Sequence, residues 1–290
     1  MTYSIVGRDE KTGELGVAVQ SRAFRVGICA WARPAVGAVA TQSFTEKAYG
    51  PRGLDLMADG AAPADALAQL LEADEQRDYR QVAFLSADGR TAAHTGAACI
   101  PDCGDTARSG VSAQGNMLAS PQVWDAAADT FEAAEGTLAE RLLAALDAAE
   151  AAGGDFRGRE AAALLVVSGD RGEEPWTTVC DLRVDNHADP LRELRRLHTI
   201  SAAYRRRRDF GEATVLAEEV ELARAAGLAK DEIAMTGALV AVAHGDLDEA
   251  AALLQPVAAS DSRWREAFER YVRLGFLPAE TLERIDRRQI

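Results

Sequence analysis

Four strand signals crowded into the first forty-three residues constrain this chain more than anything that follows. Thr2-Tyr3-Ser4-Ile5-Val6 is β-branched and aromatic, Asp9-Glu10-Lys11-Thr12-Gly13 has turn chemistry, and Leu15-Gly16-Val17-Ala18-Val19 resumes an apolar run. The opening therefore reads as a hairpin. Ile28 to Trp31 and Val36 to Ala40 add two more strands, set off by Gly27 and by Pro34 with Gly37. Thr2 places a hydroxyl at the start of a central strand, the layout expected where a chain uses its own N-terminus as catalyst.

After Ser43 the period changes. Gly53 to Gly60 is a short helix, and Ala64 to Ala73 carries Leu67, Leu70 and Leu71 at helical spacing behind Pro63. Gln81 to Ser86 and Thr91 to Thr95 flank Asp88-Gly89, a strong hairpin signal, and Val111 to Gly115 is a further strand. One helix runs from Ser120-Pro121 to about Ala134, and another from Thr137 to Ala152, stopped by Gly153-Gly154. Ala161 to Ser168 and Thr177 to Val184 complete the strands. Hairpins imply antiparallel sheets, and two helical pairs on outer faces imply an α+β, four-layer αββα sandwich over residues 1–188.

Residues 189–290 read as helical throughout: 191–208, 211–226, 230–244, 247–258, 263–274 and 280–287. Asp209-Phe210-Gly211-Glu212-Ala213 and Asp246-Leu247-Asp248-Glu249-Ala250 each open a helix, 37 positions apart. That spacing suits a weak two-helix repeat, a C-terminal all-helical appendage and a surface for homo-oligomer formation.

The net charge of −14 is concentrated in the first part, where 28 acidic residues face 16 basic ones before position 189. Such a surface repels phosphate backbones and anionic lipid, which argues against nucleic acid and membrane as partners. Cys29, Cys99, Cys103 and Cys180 lack zinc spacing, and His187 and His198 lack ligand partners, so no metal or other cofactor is expected. With no leader pattern and no membrane-length apolar run, a cytoplasmic protein is the expectation.

The candidate site gathers at strand ends. With Met1 removed, Thr2 would carry a free α-amine of pKa about 7.7–8.0 beside its hydroxyl, so the nucleophile brings its own base. Ser21 closes the second strand and can orient that amine. Arg22 either holds a substrate carboxylate or pairs with a surface acid. Thr41 and Gln42 line the same cleft or cap a sheet end. Gly115 and Asn116 supply oxyanion donors or a plain turn. Asp155 and Arg157 bind substrate or close a loop, and His94 is a ligand contact or a structural histidine.

The same residues carry a family resemblance. Met1-Thr2-Tyr3-Ser4-Ile5-Val6, Gly13 to Val19 with Ser21-Arg22, Val36 to Gln42, Tyr49-Gly50-Pro51, His94-Thr95-Gly96, Gln114-Gly115-Asn116-Met117-Leu118, Gly154-Asp155-Phe156-Arg157-Gly158 and Asp181-Leu182-Arg183-Val184-Asp185 resemble, in order and spacing, the domain-of-unknown-function family 1028. Glu160 and Ala161 depart from it, standing where the family has Gln and Ser. The resemblance covers residues 1 to about 200. It implies an N-terminal nucleophile (Ntn) hydrolase-like fold and hydrolysis of an amide bond in a small-molecule amide substrate. Two alternatives stay open: a non-catalytic ligand-binding or scaffold protein on the same fold, and a hydrolase whose nucleophile is internal, Ser21 or Thr41.

Overall fold

Asp9 closes the first hairpin by itself. Its carboxylate accepts from the amides of Lys11 and Thr12, and Gly13 takes a positive φ of 75°. This local turn sets Arg8 opposite Leu15 and zips β1 (Thr2–Arg8) against β2 (Leu15–Ser21). The structure is a computed structural model and describes residues 2–206, 227 and 229–287. Two compact units divide it, Met1–Arg195 and Arg196–Ile290.

The first unit is a mixed α+β body with two antiparallel sheets. The larger sheet has the order β10-β9-β2-β1-β8-β7, with β7 Gly104–Arg108, β8 Val111–Asn116, β9 Ala161–Val167 and β10 Cys180–Val184. The smaller runs β3-β4-β5-β6, from β3 Ala30–Arg33 through β4 Gly37–Ser43 and β5 Arg80–Ser86 to β6 Thr91–Thr95. Asp88-Gly89 turns the β5–β6 hairpin, Gly89 having φ 85°.

Side-chain alternation sorts the faces. Tyr3, Ile5 and Gly7 point to the helical side of the larger sheet, where α3 (Val123–Ala133) and α4 (Leu138–Ala151) pack on β1 and its neighbours. Val6, Leu15, Val17 and Val19 point the other way and share one core with Ala38, Ala40, Ala83 and Leu85 of the smaller sheet. Val39, Val82 and Phe84 of that sheet face outward and pack with α1 (Tyr49–Ala58) and α2 (Pro63–Glu72). A capping box at Thr137 and Glu140 starts α4.

Two local expectations differ. Residues 26–29 form a 3-10 turn, entered through Arg25 at φ 60°, so β3 starts at Ala30 rather than Ile28. The last strand begins at Cys180 rather than Thr177.

In the second unit α6 (Lys230–Ala243), α7 (Leu247–Ser260), α8 (Ser262–Arg273) and α9 (Ala279–Arg287) share a core of Ala238, Ala250, Leu254, Phe268 and Ile285. Helix α5 (Pro190–Arg206) contains the division between the units. Asp246 caps α7, accepting from Glu249 N at 2.9 Å. The segment at 209–213 and the helix expected over 211–226 lie outside the described residues, as does Met1. Among the described residues are two antiparallel sheets and nine α-helices, none of them long and apolar enough to cross a membrane.

Candidate active site

At the Thr2 end of the two facing sheets the apolar core gives way to hydroxyls and amides. Thr2, Ser4 and Val6 share one face of β1, and Ser21 continues the inward row of Val17 and Val19 on β2. Asn116 and Gln114 stand opposite Thr2 and Ser4 in register, hence on the same face. From the smaller sheet, Gln42, Gln81 and Thr95 form one cross-strand row on the face of Ala40 and Ala83. Thr2, Ser21, Gln42, Gln81, Gln114 and Asn116 are all buried.

The contacts are specific. Thr2 Oγ1 donates to Ser21 Oγ at 3.1 Å, and the same oxygen accepts from Ala23 N at 3.0 Å. Gln42 Nε2 donates to Gln81 Oε1 at 2.8 Å and to Thr2 O at 3.2 Å, while Asn116 Nδ2 reaches Gln81 Oε1 at 2.9 Å. Gln81 Nε2 donates in turn to Thr95 Oγ1, Gly104 O and Gly115 O, at 2.9, 3.1 and 2.7 Å. Thr95 Oγ1 donates to Asp105 Oδ2 at 2.5 Å, and Gln114 Nε2 to Ser4 Oγ and Ala40 O at 3.3 Å each. The two sheets are thus stitched around Thr2 by amides and hydroxyls, with the Asp105 carboxylate at the margin. Behind it, on the helical face, burial and then the Glu150 carboxylate hold the Tyr3 phenol well above its usual range.

Of the residues expected at the site, Thr2, Ser21, Gln42 and Asn116 come together here. Gly115 contributes its carbonyl; a Cβ on it would meet Leu118 on the helical side, so packing accounts for the glycine. Thr41 and His94 do not join the cluster. Both stand in register with Val82, whose side chain packs against α1 and α2, so they occupy the outward face, where the His94 ring meets Arg77 O at 2.9 Å. Asp155, 4 % exposed, accepts from the backbone of Arg22 at 3.0 Å and of Arg157 at 2.9 Å, and pairs with the Arg157 guanidinium at 3.1 Å. It therefore fixes the loops leaving the site. The Arg22 guanidinium is ion-paired with Glu160, the position that departs from the family pattern.

Gln81, Gln114, Ser4 and Thr95 were not expected. Their signal is in the sequence nonetheless: Gln20, Gln42 and Gln81 each stand one residue from the end of a strand with an apolar middle, and Gln114 stands two residues from the end of β8. Among the described residues no group of three or more His, Cys, Asp or Glu side chains is placed to hold a metal.

Fold and site define a two-sheet α+β protein with a hydroxyl-and-amide layer closed around the end of its central strand. The chain belongs to the family of unknown function DUF1028, whose model matches residues 2–194. It is similar to a crystal structure of a protein from Silicibacter pomeroyi assigned to the same family, with 34% identity and a TM-score of 0.62 over 68% of this chain and 87% of that one. Among curated proteins none matches this chain.

Proposed function

We propose that the protein is an Ntn-type amidohydrolase that cleaves an amide bond in a small polar or peptide-like metabolite, with Thr2 as nucleophile once Met1 is removed. The fold reading that goes with it is the four-layer αββα sandwich of that superfamily. It is supported by two antiparallel sheets that share a core and carry α1–α2 and α3–α4 on their other faces.

The observation that carries the reading is the Thr2 hydroxyl, inward-facing at the end of a central strand and 3.1 Å from Ser21 Oγ. In the reaction the terminal amine takes the hydroxyl proton, directly or through water, as Oγ1 attacks the substrate carbonyl. Ser21 holds the hydroxyl in place. The Met117 N–H is engaged with Ile100 O at 3.3 Å, which leaves the second Nδ2–H of Asn116, the one not given to Gln81 Oε1, to stabilise the developing oxyanion. Collapse expels the leaving amine with the proton the base has carried. Water then hydrolyses the ester on Thr2.

Intact mass and N-terminal sequencing of protein that turns over a panel of small amides test this directly. Thr2 is expected as the first residue, with turnover lost in Thr2→Ala. Turnover by protein that fully retains Met1 sinks the mechanism.

A further inference from the structure

Gln81 has no step in the reaction above, yet the orientation of both side-chain amides next to Thr2 follows from it. Its Nε2 faces Gly115 O at 2.7 Å and Gly104 O at 3.1 Å. A backbone carbonyl accepts and never donates, so these two contacts settle which end of the Gln81 amide is nitrogen. Its oxygen therefore faces Gln42 and Asn116, and both must present their NH2 ends to it, at 2.8 and 2.9 Å. Thr2 O, at 3.2 Å, fixes the Gln42 nitrogen a second time.

With the nitrogens turned to Gln81, the two amide oxygens are left as acceptors. Gln42 Oε1 and Asn116 Oδ1 are both buried with no hydrogen-bond partner, on side chains 1 % and 0 % exposed. Buried acceptors of this kind call for a donor that the protein does not supply. Both belong to residues tied to Thr2, one through its carbonyl and the other as its cross-strand neighbour.

We propose that Gln81 is the positioning residue of this site, and that Gln42 Oε1 and Asn116 Oδ1 receive a hydrogen-bond donor of the ammonium or amide N–H class. This deepens the hydrolase reading, on which it rests for the place of the site, by fixing the polarity of what binds there. Acceptors held this way take N–H groups and turn away carboxylates and phosphates. The donor has two sources: the N–H groups of the α-amine that Thr2 carries once Met1 is removed, and an amine or amide N–H on a bound metabolite.

The side-chain amide signals of Gln42 and Asn116 in 15N-labelled protein, assigned through Gln42→Met and Asn116→Leu, read this out. Methylammonium chloride is the probe, and potassium acetate at equal ionic strength is its counterpart without an N–H donor. In protein that retains Met1, methylammonium is expected to move both signals saturably and acetate to leave them in place, with the response lost in Gln81→Met. In protein processed to Thr2, signals already displaced and no longer moved by methylammonium assign the donor to the chain's own terminus. Displacement by methylammonium there as well assigns it to a separate ligand, and either result supports the proposal.

Equal displacement by acetate, no displacement in either form, or a response that survives Gln81→Met overturns it. Should Gln81→Met fail to fold, Gln42→Met keeps the Gln81 hub and removes one acceptor. It is expected to weaken the Asn116 response, and an unchanged response overturns the proposal. The signals report binding without turnover. A protein that responds but cleaves no amide counts against the hydrolase reading alone, and one that cleaves amides without responding counts against Gln81 alone.

Discussion

The Tyr3 hydroxyl donates to Glu150 Oε2 at 2.8 Å, joining the central strand to α4 across 147 positions of sequence. Thr2 is the next residue, so this bond helps to hold the candidate nucleophile in place from the opposite face of the sheet. Burial, then the Glu150 charge, raise the Tyr3 pKa in the folded protein. The sign follows: the folded state keeps its proton where the unfolded tyrosine, near pKa 10, loses it. The contribution is complete below that value and declines as pH rises above it. Tyr3→Phe is expected to cost about 1–2 kcal/mol at neutral pH. It should also flatten the loss of melting temperature between about pH 9 and 11. An unchanged alkaline slope in thermal melts counts against this account, with Tyr49, also raised by burial and by Asp74, and the thiols of Cys29 and Cys103, raised by burial, as further contributors to that slope.

Arg80 organises the smaller sheet's exit toward the site. Its guanidinium meets Asp74 Oδ2 at 2.8 Å, Phe44 O at 2.7 Å and Gln76 Oε1 at 3.0 Å, and the residue is buried. Removing one partner of a buried pair strands the other, so Arg80→Met is expected to cost about 3 kcal/mol. That is on the order of 10 °C in Tm for a unit of this size. The hydrogen bond from Arg80 holds the Asp74 carboxyl below its usual range. Its stabilisation is complete above the unfolded value near 3.9 and is lost as pH falls through the folded one. Acid melts of the parent and Arg80→Met proteins should therefore converge.

Gly7 is a glycine for reasons of packing. A Cβ there would lie 2.5 Å from Phe131 Cζ and 3.3 Å from Leu142 Cδ2, both on the helices that cover β1. Its φ is not positive, so backbone freedom plays no part. Gly7→Ala is expected to destabilise by about 1–3 kcal/mol through displacement of the Phe131 ring. Denaturant melts measure it, and a neutral result means α3 can retreat without loss.

What the sequence made legible were features decided locally. Asp9 to Gly13 and Asp88-Gly89 carry their turns in their own side chains and backbone, and the leucines of α2 and α4 recur at helical spacing. Strand β7 escaped because Gly104-Asp105-Thr106-Ala107-Arg108 is an edge strand with one apolar residue, held by pairing rather than by burial. In the site, the strand ends were legible but the facing was not. Gln42 and Thr41 are neighbours on β4, and a step of one residue sends one to Thr2 and the other to the helices. Gln81 read as the plain start of an apolar strand, since only the partner sheet shows that its amide bridges Gly104 and Gly115.

Gln20 sets the last test, because it is the glutamine of the four that turns away from the site. It stands opposite Tyr3 in register, so its side chain lies on the helical face, fully buried. Neither its Nε2 nor its Oε1 has a hydrogen-bond partner. A buried amide with both ends unsatisfied loses its hydration on folding and gains nothing in exchange, a penalty of about 1–3 kcal/mol. Methionine has nearly the same length and fills the space with no polar atom. Gln20→Met is therefore expected to raise stability by about 1 kcal/mol. A stability loss of similar size would mean that enclosed water satisfies the amide, and the water would then be an integral part of the packing between β2 and α4.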